Sequence, residues 1–114
     1  MTTVTHKPEV ARAIAIFLDA LRKEYAVDDV RLYGSRARGD FRPDSDVDLA
    51  VVLHGDRGDI WDTAAGLANI TFDVLTETGI AVSALPFWHD DLEHPERAKN
   101  PALIRNIQQD GIRL

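Results

Sequence analysis

Cysteine is absent from the sequence, which excludes a disulfide framework, a thiolate metal cluster and a thiol nucleophile, and fits a reducing compartment. Long apolar runs are absent too. No stretch approaches the roughly 20 residues of a membrane span, and the N-terminus, Met-Thr-Thr-Val-Thr-His-Lys-Pro, has no apolar signal core. Positive charge is in deficit: 13 Lys and Arg stand against 19 Asp and Glu, a formal net charge of −6. That balance argues against general nucleic-acid binding, whose affinity comes mainly from neutralising phosphates with Lys and Arg. It leaves open a protein that binds nucleotide through metal ions, because a carboxylate–metal site is itself acidic. No internal repeat, low-complexity stretch or linker interrupts the chain. What is present is ordinary for a globular protein: 114 residues, 45% of them hydrophobic, enough for a single domain over 1–114 and no second one. The expectation is a soluble, cytoplasmic domain with no membrane contact.

Periodicity gives the element order. From Lys7 to Ala26, Val10, Ile14, Phe17, Leu18 and Leu21 recur every three or four residues, the stripe of an amphipathic helix with Pro8 in its first turn. Val30 to Tyr33 is a run of strand formers that ends at Gly34-Ser35, and Arg36 to Ser45 reads as a short helical turn and a loop. Asp46 to Leu53 alternates and then turns wholly apolar, as a strand with one functional end and a buried body does. A second long helix follows. Asp59 is its N-cap, Gly79 its C′ residue, and Ile60, Ala64, Leu67, Thr71, Val74 and Leu75 form its inner face. Ile80 to Phe87 is a third strand stopped by Pro86, His89 to Lys99 is irregular, and Pro101 to Gln109 is a last helix. The fold class is α/β (α+β), a small mixed sheet flanked by helices.

Chemistry concentrates between Gly34 and Leu49. Neighbours in a strand alternate faces, so Asp46 and Asp48 project together, and two like charges at a strand end repel without helping the sheet. A divalent cation removes that repulsion, and hard oxygen ligands suit Mg²⁺ shared with substrate phosphates. Gly34 lets backbone approach a phosphate with no Cβ in the way, and Ser35 offers a hydroxyl and an N–H at the start of a helical turn. Arg36 and Arg38 supply positive charge to triphosphate oxygens.

Gly-Ser, ten intervening residues and then Asp-x-Asp resembles the signature of the DNA polymerase β-like nucleotidyltransferase superfamily. The fuller string, Gly34-Ser35-Arg36-Ala37-Arg38-Gly39 with Ser45-Asp46-Val47-Asp48-Leu49, is similar to its minimal branch, small stand-alone domains often encoded beside a helical HEPN-domain protein. The resemblance implies that Gly34 and Ser35 hold the β- and γ-phosphates of a nucleoside triphosphate, and the charge of Arg38 makes it a further candidate phosphate contact. It implies that Asp46 and Asp48 ligate two Mg²⁺ ions and that a hydroxyl attacks the α-phosphate as pyrophosphate leaves. Minimal members paired with HEPN toxins resemble antitoxins that transfer AMP from ATP to a tyrosine of the partner. The acceptor site then comes from the partner or from a second subunit of an oligomer.

One departure stands out. The family places a third carboxylate on the next core strand, but Ile80-Ala81-Val82-Ser83-Ala84-Leu85 has no acid, and the aligned position is Ala81 or Ser83. Asp73, Glu77, Asp90 and Asp91 lie in other contexts. A second expectation therefore stands beside the first, an inactive nucleotidyltransferase fold that neutralises its partner by binding alone. Ser45 is expected to orient the loop by a local hydrogen bond. His6, His54, His89 and His94 lack metal-ligand spacing, Trp61 and Trp88 are expected to pack, and Asp90, Asp91, Glu93 and Glu96 read as a solvated loop.

Overall fold

The computed structural model describes residues 7–114; His6 lies outside the described residues. Helix α1 (Pro8–Glu24) precedes strand β1 (Val27–Tyr33), the one-turn helix α2 (Ser35–Arg38) and strand β2 (Val47–Leu53). Helix α3 (Ile60–Thr78) crosses to β3 (Val82–Trp88), followed by α4 (His89–Glu93), a 3-10 turn at Pro95–Arg97, α5 (Pro101–Asp110) and β4 (Ile112–Arg113). The sheet is four-stranded in the order β3-β2-β1-β4. β2 pairs antiparallel with β1 and parallel with β3, the long crossover through α3 being what a parallel pair requires.

The sheet has one thick side and one thin side. Val10, Phe17 and Leu21 of α1 and Leu67, Ile70 and Val74 of α3 pack with Leu32, Leu49, Val51 and Trp88 into the main core. On the opposite face Ile107 of α5 covers Tyr33 and Ala50, with Leu85, Phe87 and Leu103 at the margin. β2 is buried along almost its whole length, which explains its unbroken apolar body. Asp59 caps α3 by accepting the N–H of Trp61 and Asp62, and Gly79 ends it with φ 76°, both as read from the sequence.

Several expectations change. β3 runs through Pro86 to Trp88, because it lies at the sheet edge, where a missing N–H removes no ladder bond on the outer side. The inner face of α3 is Leu67, Ile70 and Val74, while Ile60 and Leu75 are exposed at 44% and 43%. Trp88 is buried but Trp61 is 80% exposed. The stretch after His89 is ordered: Asp91 is buried, accepts the Trp88 N–H at 2.9 Å and pairs with Arg57, so it is a structural acid and not a solvated one. The short β4, which no pattern marks, pairs with β1 at Arg31 and Leu32.

The end of the sheet away from the Gly34 turn is held by polar contacts. His54 Nδ1 and His89 Nε2 lie 2.9 and 2.6 Å from the two carboxylate oxygens of Asp28, joining the ends of β2 and β3 to the start of β1. Beside it, Asp29 accepts from Arg31 Nε at 2.7 Å and from Arg113 Nε at 3.0 Å, which ties β4 to β1. Burial pushes the Asp29 carboxyl up, yet the hydrogen bonds from Arg31 and Arg113 outweigh it and hold the carboxyl below its ordinary value. A carboxyl depressed in the folded state contributes stability above its unfolded value and loses it as pH falls through the folded one. Asp29→Asn should lower stability by about 1–2 kcal/mol at neutral pH, and the deficit should shrink on acidification, as measured by urea unfolding across pH.

Candidate active site

β1 ends at Tyr33, and Gly34 then turns the chain with φ 75° and ψ −155°, a conformation that glycine alone adopts without strain. Glycine is required there for a second reason. A Cβ at this position would lie 2.6 Å from Asp48 Oδ2, so the main chain of the turn rests directly against that carboxylate. The turn opens α2, whose closing bonds run from the N–H of Ala37 and Arg38 to Gly34 O, and no side chain caps its start. Ser35 thus stands at an uncapped helix start next to the carboxylates.

Register places the rest. Asp48 is paired with Tyr33 on β1 and with Ser83 on β3, so these three share one face of the sheet. Asp46 lies just before β2, exposed, with Val47 between it and Asp48, as two-residue spacing on one face demands. Val47 itself is buried, and its N–H donates to Ala81 O at 2.9 Å, which fixes both acids against the start of β3. Burial pushes the Asp48 carboxyl above its ordinary value, and the charge of Asp46 adds to the effect, while Arg36 and Arg38 oppose it. Burial, with help from Asp48, also pushes the Tyr33 hydroxyl up to about 12, so it stays a neutral hydrogen-bonding group.

The two arginines have separate surroundings. Arg36 is buried: its Nε and Nη2 donate to Ser45 O at 3.1 and 2.9 Å, Nη2 also reaches Pro43 O at 3.3 Å, and its guanidinium stacks 4.5 Å from the Phe41 ring centroid. Its head is therefore engaged by the loop, while its charge still acts on Asp48. Arg38 is exposed and pairs with Asp40 at 3.4 Å, a contact that an incoming anion can replace. Ser45 Oγ accepts the Arg42 N–H at 3.0 Å, the local bond expected of it. Phe41 was the available sign of this packing, an aromatic residue in an otherwise polar loop.

The third strand offers no acid at the site. Ser83 occupies the place beside Asp48, Glu77 pairs with Arg12, and Asp90 and Asp91 sit beyond the far end of β3 with Arg57. Among the described residues, no group of three or more His, Cys, Asp or Glu is placed to hold a metal ion. The pair Asp46 and Asp48 nevertheless fits a hard divalent cation, since crowded oxygen donors with a raised carboxyl are what such an ion relieves.

The mixed sheet, the crossover helix and the glycine turn facing a strand-borne acid pair are those of a minimal nucleotidyltransferase fold. Residues 14–114 match the nucleotidyltransferase domain family, and the chain belongs to that family. Its fold is shared by a protein classed as a minimal nucleotidyltransferase, 28% identical with a TM-score of 0.57, the match covering 91% of this chain and 90% of that one. It is shared by a toxin–antitoxin solved with AMP-PNP, at 16% identity and a TM-score of 0.57 over 94% of this chain and 72% of that one. A mutant MntA–HpeT toxin–antitoxin gives 17% identity and a TM-score of 0.55 over 91% of this chain and 69% of that one. No curated protein matches the chain.

Two outcomes follow from the crowding. Gly34→Ala should destabilise the fold by about 1–2 kcal/mol, and part of that loss should vanish in an Asp48→Ala background, where the clash is gone, as a double-mutant cycle on urea unfolding would read. Asp48 is raised in the folded state, so the stability tied to its protonation is present at low pH and lost as pH rises through the folded value. Asp48→Asn should accordingly raise Tm at neutral pH, with the gain fading toward about pH 4, near the ordinary carboxyl value.

Proposed function

We propose that this protein is a metal-dependent nucleotidyltransferase that moves AMP from ATP onto a tyrosine hydroxyl of a HEPN-type toxin partner and so acts as an intracellular antitoxin. One observation carries the reading: Asp46 and Asp48 project beside the Gly34 turn, with an uncapped helix start next to them. The toxin–antitoxin neighbours, one of them solved with AMP-PNP, support the partner and the nucleotide.

Gly34 presents bare backbone to the triphosphate, Ser35 adds its hydroxyl and N–H, and Arg38 exchanges Asp40 for a phosphate oxygen. Asp46 and Asp48 would hold two Mg²⁺ ions, which supply charge neutralisation for the attacking and leaving oxygens. The transfer joins the acceptor oxygen to the α-phosphorus and releases pyrophosphate. Arg36 holds Ser45, and with it Asp46, at the right distance from the turn. Tyr33 and Ser83 flank Asp48 as neutral hydroxyls and add no further negative charge to a site that receives a triphosphate.

A second reading rests on the acid-free third strand. With Ala81 or Ser83 where the resemblance puts a third carboxylate, the fold can serve as a binding-only antitoxin. Intact-mass spectrometry of the protein with the product of the adjacent gene, ATP and Mg²⁺ separates the two. Addition of one or more AMP units to the partner, lost by at least 100-fold in Asp46→Asn and Asp48→Asn and on chelation of the metal, is the expected result. A silenced toxin with no mass gain on either chain would overturn the transferase reading in favour of binding alone.

A further inference from the structure

Helix α3 is apolar on two opposite sides. One side, Leu67, Ile70 and Val74, is buried in the main core. The other bears Trp61, Ala65, Ala68, Phe72 and Leu75, spaced four, three, four and three residues apart, and it faces solvent, with Trp61 80% and Phe72 66% exposed. That spacing is the 3.5-residue repeat of a helix–helix seam, and a helix apolar on both sides is otherwise a buried one. Ala65 and Ala68 leave a shallow centre between bulky ends, the shape that lets a second helix approach closely. At the N-terminal end of the seam, Ile60 and Trp61 form one wall of a groove of about 630 Å³ with Phe87, Leu103 and Ile104, deep enough for an apolar anchor.

Charge chooses the occupant. Asp62 and Asp73 border the seam on one side, and neither forms an ion pair among the described residues. The charged residues of α3 are Asp62, Asp73 and Glu77, so the helix has no base of its own. A second copy of the chain fits poorly in the antiparallel arrangement, because pairing about Ala68 sets Asp62 near Asp73 of the other copy. We propose that the outer face of α3 is the docking surface for a helix of a partner protein that carries an apolar stripe bordered by lysine or arginine. Position relates the surface to the site. α3 runs from the groove toward the site: its C-terminal end passes through Gly79 to Ala81, whose carbonyl holds Val47 between the two acids. A partner lying along α3 therefore ends beside the starts of β2 and β3, on the face of the sheet opposite to Asp48. Transfer to that partner rests on the transferase reading; the docking itself does not.

The test is binding of the purified full-length protein to the adjacent gene's product, by calorimetry, alongside the AMP-transfer assay. Trp61→Ala and Phe72→Ala should each weaken binding at least tenfold, Ala68→Glu should abolish it, and Asp62→Lys with Asp73→Lys should weaken it and flatten its salt dependence. All of these sites are solvent-facing, so unchanged melting temperatures should accompany the losses. Asp46→Asn should bind as the wild type does. Wild-type affinity in the Trp61, Phe72 and Ala68 variants would overturn the docking surface while leaving transfer intact. Binding that needs α3, with no transfer, would leave the surface standing and remove the transferase. A dimer of this chain that Ala68→Glu dissociates, or no binding by the wild type, would overturn the proposed occupant.

Discussion

The guanidinium of Arg36 is the contact on which the site's geometry depends. It leaves a one-turn helix, too short to be stable by itself, and closes on the carbonyls of Pro43 and Ser45 with Phe41 stacked against it. The loop between the Gly34 turn and the two acids is polar and carries Gly39 and Pro43; Arg36 adds to the local bonds of Ser45 with Arg42 and of Asp40 with Ser35. Arginine suits the task better than lysine, because its planar fork reaches two carbonyls while its face lies on a ring. The bond to Ser45 O matters most, since Ser45 immediately precedes Asp46. Local chain and sheet register then act together: Arg36 sets where the strand begins, and the Val47 N–H on Ala81 O sets which face its acids take.

Much of this was legible in the sequence, for physical reasons. α1 has a single apolar stripe, so its phase admitted one answer, and Val10, Ile14, Phe17 and Leu21 are buried as read. The Asp59 cap and the Gly79 stop are local chemistry and need no tertiary context. Gly34-Ser35 and Asp46-x-Asp48 meet across a strand pair that the short intervening loop nearly enforces. α3 is legible as a helix but not in its orientation, because periodicity cannot choose between two apolar faces; the spacing points Leu75 inward, whereas Ile70 is buried and Leu75 exposed. Asp91 was hidden among acids that read as solvated, and its burial depends on Arg57, distant in sequence. β4 has two residues and carries no pattern; its partner strand and the Asp29–Arg113 pair define it.

Charge and stability oppose each other at the carboxylate end of β2. A sheet made for stability alone would place neither Asp46 nor Asp48 there, because burial and mutual repulsion raise Asp48 and the backbone of Gly34 crowds the same oxygen. The rest of the fold compensates. β2 is buried almost throughout, two helices cover one face, and hydrogen-bond contacts of Asp28 with His54 and His89 fasten the far ends of the strands. This division confines the unfavourable charge to one end of β2 while the body of the sheet stays well packed.

The neutral neighbours of Asp48 belong to the same balance. A third acid in place of Ser83 would add a like charge at the register position beside Asp48, in a chain already at −6. Serine there lowers the repulsion and also leaves one fewer ligand for a cation. Tyr33, held neutral on the other side, makes the same choice. The two acids that remain share a dependence: whatever positive charge binds between them relieves the raised carboxyl and stabilises the fold by an amount set by its affinity and concentration. A cation bound at this end would therefore be coupled to folding through Asp48.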